Sequence, residues 1–217
     1  VKLRLVTVPK LVQRLFPERI WALPNKDNKI YLTFDDGPIP EVTPWVLDTL
    51  KEYNAKATFF CIGDNVKKHP EIFQRIISEG HQVGNHTFNH LNGWKTSTQS
   101  YIENVSLFET ELQAQNSRHS YLVPRTSLFR PPYGKITSKQ ASLLQQQGYK
   151  IVMWSVLSYD YDASVSEDQC FQNVAQNLKP GSIVVFHDSL KAQKNLRYVL
   201  PKVLEYYKKM DYNFKKL

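Results

Sequence analysis

The feature that most constrains this chain is an alternation. Short apolar runs at residues 30–34, 57–62, 82–84, 150–154 and 182–186 are separated by segments whose apolar residues recur at helical spacing. Runs of that length, rich in Ile, Val and Phe, read as buried strands, and the segments between them read as one-sided helices. Strand and helix in strict turn imply parallel strands covered by helices, in a barrel or an open sheet. In both architectures, functional groups collect at the C-terminal ends of the strands.

The helices carry their own punctuation. Thr43 is expected to cap a helix with Pro44 in its first turn and Trp45, Val46, Leu50 and Tyr53 on one face. Pro70 opens another, with Ile72, Phe73, Ile76 and Ile77 inward and Gly80 as its stop. A third, at 138–147, ends at Gly148, and Ser166 with Gln169 forms a capping box before Phe171, Val174 and Leu178. A longer helix covers 100–115, followed by a long loop at 116–126, and Pro201 should kink or restart the last amphipathic segment, 196–207.

A length of 217 residues suits one domain with a substantial core. With 41% hydrophobic and 22% charged residues, disorder is excluded. The net charge of +8 favours anionic surfaces at long range, but the basic residues form no run and no RNA-reading motif, so nucleic acid is not an expected partner. Cys61 and Cys170 show no C-x-x-C spacing, which removes a disulfide framework and a cysteine zinc site. No apolar stretch is long enough to span a bilayer and no secretory signal is visible; residues 1–20 mix apolar and basic positions suited to packing on the domain or lying on a membrane surface. Location is left between the cell envelope and the cytoplasm.

Four polar clusters follow predicted strands. Thr33-Phe34-Asp35-Asp36-Gly37-Pro38 sets two carboxylates before a turn, a pattern that by itself is mostly turn chemistry. Asn85-His86-Thr87-Phe88-Asn89-His90 holds two histidines at i and i+4, a spacing that puts both imidazoles on one side of a helical turn. With Asp36 as third ligand they would suit zinc or a related ion and leave a position open for water. Phe129-Arg130-Pro131-Pro132-Tyr133-Gly134 is a stiff loop that fixes Arg130 and Tyr133. The run Ile183-Val184-Val185-Phe186 delivers His187 and Asp188 at a strand end. His69, His81 and His119 read as surface or structural.

Together and in this order, these clusters resemble the polysaccharide deacetylases, carbohydrate esterase family four, from about Ile30 to the C-terminus. The resemblance implies an α/β fold, an irregular (β/α) barrel with about seven parallel strands. It implies residues 29–217 as a single catalytic domain and residues 1–28 as an extension, packed on that domain or peripheral. It implies metal-dependent release of acetate from N-acetylated amino sugars of a poly- or oligosaccharide such as peptidoglycan or chitin. Asp36, His86 and His90 would hold the divalent metal, zinc first, with cobalt, nickel or manganese as substitutes. Asp35 would be the general base, Arg130 its orienter, His187 the general acid and Asp160 its partner. Thr87 would brace the metal loop, and Tyr133, Pro132, Trp154, Tyr161 and Val185 would contact substrate.

The chain departs from the family pattern in three places. Where Trp-x-x-Asp-x-x-Asp-Trp is usual, Trp154 is followed by Leu157, Asp160 and Tyr161, so the first Asp and the last Trp are replaced. Val185 stands in place of the usual Leu. These changes leave open a related amide or ester hydrolase with a non-glycan substrate, or a non-catalytic metal- or sugar-binding homologue.

Overall fold

Each expected strand forms, and its register explains how the site is assembled. The computed structural model describes residues 4–24, 27–118 and 125–217. In chain order its elements are α1 (Lys10–Leu15), β1 (Lys29–Asp35), α2 (Thr43–Glu52), β2 (Thr58–Cys61), α3 (Gly63–Lys68), α4 (Pro70–Ser78), β3 (Gln82–Asn85), α5 (Thr98–Arg118), β4 (Leu128–Phe129), α6 (Ser138–Gln146), β5 (Lys150–Ile151), β6 (Val156–Leu157), α7 (Glu167–Ala175), β7 (Ile183–His187), α8 (Gln193–Lys208) and β8 (Asn213–Phe214). The loop expected at 116–126 and His119 fall at residues outside those described, apart from the end of α5 and the residues just before β4.

The main path of the sheet runs β5-β4-β3-β2-β1-β7-β6, seven parallel strands in a curled half-barrel, with β8 pairing the start of β1. The segment before β1 spans the gap between the two ends of that path. Ile20 pairs with Val152 just beyond β5, Ala22 with Ser182 just before β7, and Thr7 with Val156 in β6.

Side chains alternate across β1. Leu32 and Phe34 turn outward under the helices, and the parallel register aligns Phe34 with Phe59 and Phe186 on the neighbouring strands. The three rings therefore stack, at 5.1 Å and 5.9 Å between centroids. Thr33 and Asp35 lie on the other face, and the same register sets Asp35 directly beside His187.

Four local expectations are corrected. Thr43 does not cap α2: its hydroxyl accepts from the Ile39 N–H at 2.9 Å and donates to Asp188 at 2.6 Å. Ser166 caps the Gln169 N–H, but the Gln169 amide turns to Asn173, so the reciprocal half of the box is missing; a complete box forms instead at Thr137 and Gln140. The run 150–154 is a strand only as far as Ile151, because the carbonyls of Val152 and Met153 turn to the Arg130 guanidinium. Pro201 does not restart the last helix, and α8 runs through it. A mid-helix proline costs about 3 kcal/mol. Burial of Leu196, Val199, Leu200, Val203 and Leu204 along the same helix, each worth roughly 1.5–3 kcal/mol, outweighs that cost. Among the described residues no helix is long and apolar enough to cross a membrane.

Candidate active site

The C-terminal ends of β1, β3 and β7 and the loops after β4, β5 and β6 converge on one cavity of about 500 Å³. Asp35, Asp36, His90, Tyr133, Trp154, Leu157, Tyr161, Val185 and His187 all line it. Pro131 and Pro132 are both buried, and it is Pro131, not Pro132, that lines the cavity.

The two histidines do not sit on a helix. They lie in the loop after β3, in which Thr87 (φ 63°) and His90 (φ 56°) take left-handed backbone conformations, and this folding brings the rings to 5.1 Å. The loop is braced from within: the Thr87 hydroxyl accepts from the Leu91 N–H, and the Asn85 side chain accepts from the Thr87 N–H at 2.8 Å. Asn85 donates in turn to the Val105 carbonyl and the Tyr149 hydroxyl.

His86 Nδ1 lies 2.7 Å from the Arg130 carbonyl and donates to it, which leaves the Nε2 lone pair free. The Nε2 atoms of His86 and His90 lie 3.8 Å and 3.2 Å from Asp36 Oδ1. That buried carboxylate oxygen has no hydrogen-bond partner, and the three donor atoms lie within 4.8 Å of one another. A carboxylate oxygen without a partner, facing two imidazole nitrogens, is the arrangement a cation satisfies. Burial alone would raise the Asp36 carboxyl, but the facing His90, with His187 and His86, holds it well below the usual carboxylate range. Burial pushes His86 down to about 4, against the pull of Asp35, so the imidazole is neutral and able to ligate at neutral pH.

Two braced pairs flank this cluster. Arg130 is fully buried, and its Nη1 donates to Asp35 at 2.7 Å and to the Thr33 hydroxyl at 2.6 Å. The guanidinium also lies 4.1 Å above the Phe60 ring, so it cannot swing away. His187 Nδ1 is 2.8 Å from Asp160, whose other oxygen accepts the His187 backbone N–H at 2.7 Å. Burial opposes the charge on His187, yet Asp160, with Asp36 and Asp35 behind it, raises it to about 9. Its remaining ring nitrogen faces the cavity as a proton donor at neutral pH.

Some contributors escaped the motif reading. Ser189 and Lys191 line the cavity, with Lys191 lying 5.5 Å over the Tyr161 ring. No motif marks them, although both follow His187 closely in the chain. Asp188 accepts from the Gly37 N–H at 3.0 Å and from Thr43, and so ties the turn after Asp36 to the end of β7. Burial pushes its carboxyl up to about 8, against those two donors. A side chain at Gly37 would strike it, which explains glycine there.

The sequence profile of the polysaccharide deacetylase family matches residues 22–152. A peptidoglycan-N-acetylglucosamine deacetylase of Bacillus cereus is 35% identical over 195 residues, which is 89% of this chain and 88% of that one. A chitooligosaccharide deacetylase of Azorhizobium caulinodans is 34% identical over 76% of this chain and 75% of its own. Among solved structures, a peptidoglycan N-acetylglucosamine deacetylase in complex with 4-naphthalen-1-yl-N-oxidanyl-benzamide superposes with a TM-score of 0.86 at 33% identity, covering 97% of this chain and 95% of that one.

Proposed function

Because the chain belongs to the polysaccharide deacetylase family, we propose that it is a metal-dependent hydrolase that releases acetate from N-acetylated amino sugars in a glycan of the peptidoglycan or chitin type. One observation carries this reading: a three-donor cluster, of which Asp36 and His90 line the cavity and His86 is buried behind them, lies beside two proton carriers that line the same cavity, each braced by an oppositely charged partner. On this reading, residues 29–217 are the catalytic domain and residues 1–28 an extension, since every residue of the cluster and of both pairs lies in the former.

Asp36, His86 and His90 would hold the ion. Zinc suits this donor set, and cobalt, nickel or manganese fit it as well. A divalent cation held there would supply Lewis acidity toward the attacking water and the acetamide carbonyl. Asp35 takes the proton of the attacking water, and Arg130, donating to it at 2.7 Å, keeps that carboxylate aimed. The Tyr133 backbone N–H, on a residue with left-handed backbone (φ 61°), would donate to the developing oxyanion. The leaving nitrogen cannot depart as an anion, so His187 donates a proton to it while Asp160 stabilises the imidazolium. Acetate and a free amine result.

The test is acetate release across a panel of acetylated glycans, with and without chelator. Release that chelation abolishes and zinc restores is expected; release indifferent to chelation would remove the metal from the mechanism.

A further inference from the structure

The three donors stand on two loops, and both loops are folded against local preference. Asp36 (φ 86°), Thr87 (φ 63°) and His90 (φ 56°) all take left-handed backbone, which a residue with a β-carbon holds only where surrounding groups over-determine it. Much of that bracing comes from α3 and α5, neither of which contributes a residue to the lining of the reactive cavity.

Helix α3 follows β2 directly, and the N–H groups at its start have no partner within the helix. Ile62 donates to the Gly37 carbonyl, Gly63 to that of Thr87 and Asp64 to that of Phe88, each at 3.0 Å, so the start of one helix ties both ligand loops together. Gly63 permits the approach, since a β-carbon there would lie 2.5 Å from the Phe88 ring. The Asn65 amide then donates to the Asp36 carbonyl at 2.7 Å. Helix α5, which packs on α3, contributes Asn104. Its buried amide oxygen accepts from the N–H groups of Phe88 and Asn89 at 2.9 Å and 3.0 Å, and its nitrogen donates to the Asn89 side chain at 2.8 Å. Phe88 and Asn89 are the two residues between the left-handed Thr87 and His90, so Asn104 fixes the span that separates the imidazoles.

We infer that Asn65 and Asn104 are positioning residues that hold Asp36, His86 and His90 in ion-binding geometry before the ion arrives, one acting through each ligand loop. The inference rests on the metal-dependent reading above, and it adds that two helices outside the cavity set the affinity for the ion. Neither amide hydrogen-bonds a donor atom of the cluster, so each acts through backbone position. A preset donor set loses little freedom on binding, whereas one that must first be ordered binds more weakly by the cost of ordering.

The test is the zinc affinity of the zinc-free protein, measured by competition with a chromophoric chelator, in Asn65→Ala and Asn104→Ala, with circular dichroism reporting whether each variant is folded. Each should bind zinc about tenfold or more weakly than the parent, the size of loss seen when groups that orient metal ligands are removed. Acetate release at limiting zinc should fall with affinity and recover as zinc is raised, which separates a weakened site from a damaged catalytic group. Parental zinc affinity in folded Asn65→Ala would overturn the positioning role while leaving the hydrolase reading intact; Asn65 is half-buried, so that outcome can be read even if Asn104→Ala does not fold. Weakened zinc binding in the variants of a parent that releases no acetate would sustain the positioning role and sink the hydrolase reading. A parent that binds no zinc would sink both.

Discussion

At the scale of single residues, the site is a set of charges that hold one another in place. Asp35→Asn keeps the shape of the side chain but cannot accept a proton, so turnover should fall by about 10²–10⁴-fold while bound zinc, measured by elemental analysis, stays at the parental level. His86→Ala should lose both zinc and turnover, and equal zinc loss in the two variants would reassign Asp35 from base to ligand. His187 makes a pH prediction with a definite sign. Its folded pKa is raised to about 9, so the protonated donor persists through neutrality and is lost as pH rises through that value. Activity should therefore have an alkaline limb above the ordinary histidine range. Removing the partner in Asp160→Asn should shift that limb acidward by about 1–3 pH units, read from kcat against pH.

At the scale of elements, the apolar runs and the helical periodicities located β1, β2, β3, β5 and β7 because burial is written directly into side-chain type. Strands β4, β6 and β8 span two residues each, too few for a two-residue period to register, and β5, equally short, was located only because the apolar run 150–154 extends beyond it. The helix α8 shows the opposite limit, since proline signals a break that only the surrounding packing overrides. If burial holds that helix together, Leu200→Ala, at a fully buried position beside Pro201, should cost about 2–5 kcal/mol in denaturant unfolding. A loss well under 1 kcal/mol would mean that the segment is held by something other than its apolar face.

At the scale of the whole molecule, closure of the half-barrel depends on residues 7–22 reaching both ends of the strand path, and stability depends on pH through buried groups far from the site. His81 is buried between β2 and β3, where its Nδ1 accepts the Ala57 N–H at 3.2 Å. Burial, reinforced by Lys56 and Lys216, lowers it to about 4. Between its ordinary value of 6.5 and that depressed value, the unfolded chain takes up a proton that the folded chain refuses, so stability falls as pH falls across that window. In His81→Gln this contribution is gone. Chemical denaturation at both ends of the window should show the variant losing less stability than the parent, by up to about 3 kcal/mol; identical losses would show that His81 does not titrate in this way.

What the amino-acid order determined by itself was the alternation of strands and helices, hence the parallel sheet, and the candidate site side chains, because burial period and side-chain chemistry are local properties. Only the tertiary structure decided how those side chains meet. The parallel register set Asp35 beside His187, left-handed backbone at Thr87 and His90 rather than a helical turn brought the two imidazoles to Asp36, and the N-terminal segment joined the two ends of the strand path. Each of these is a contact between residues far apart in the chain or a backbone conformation imposed by such contacts, and neither leaves a periodic trace in the sequence.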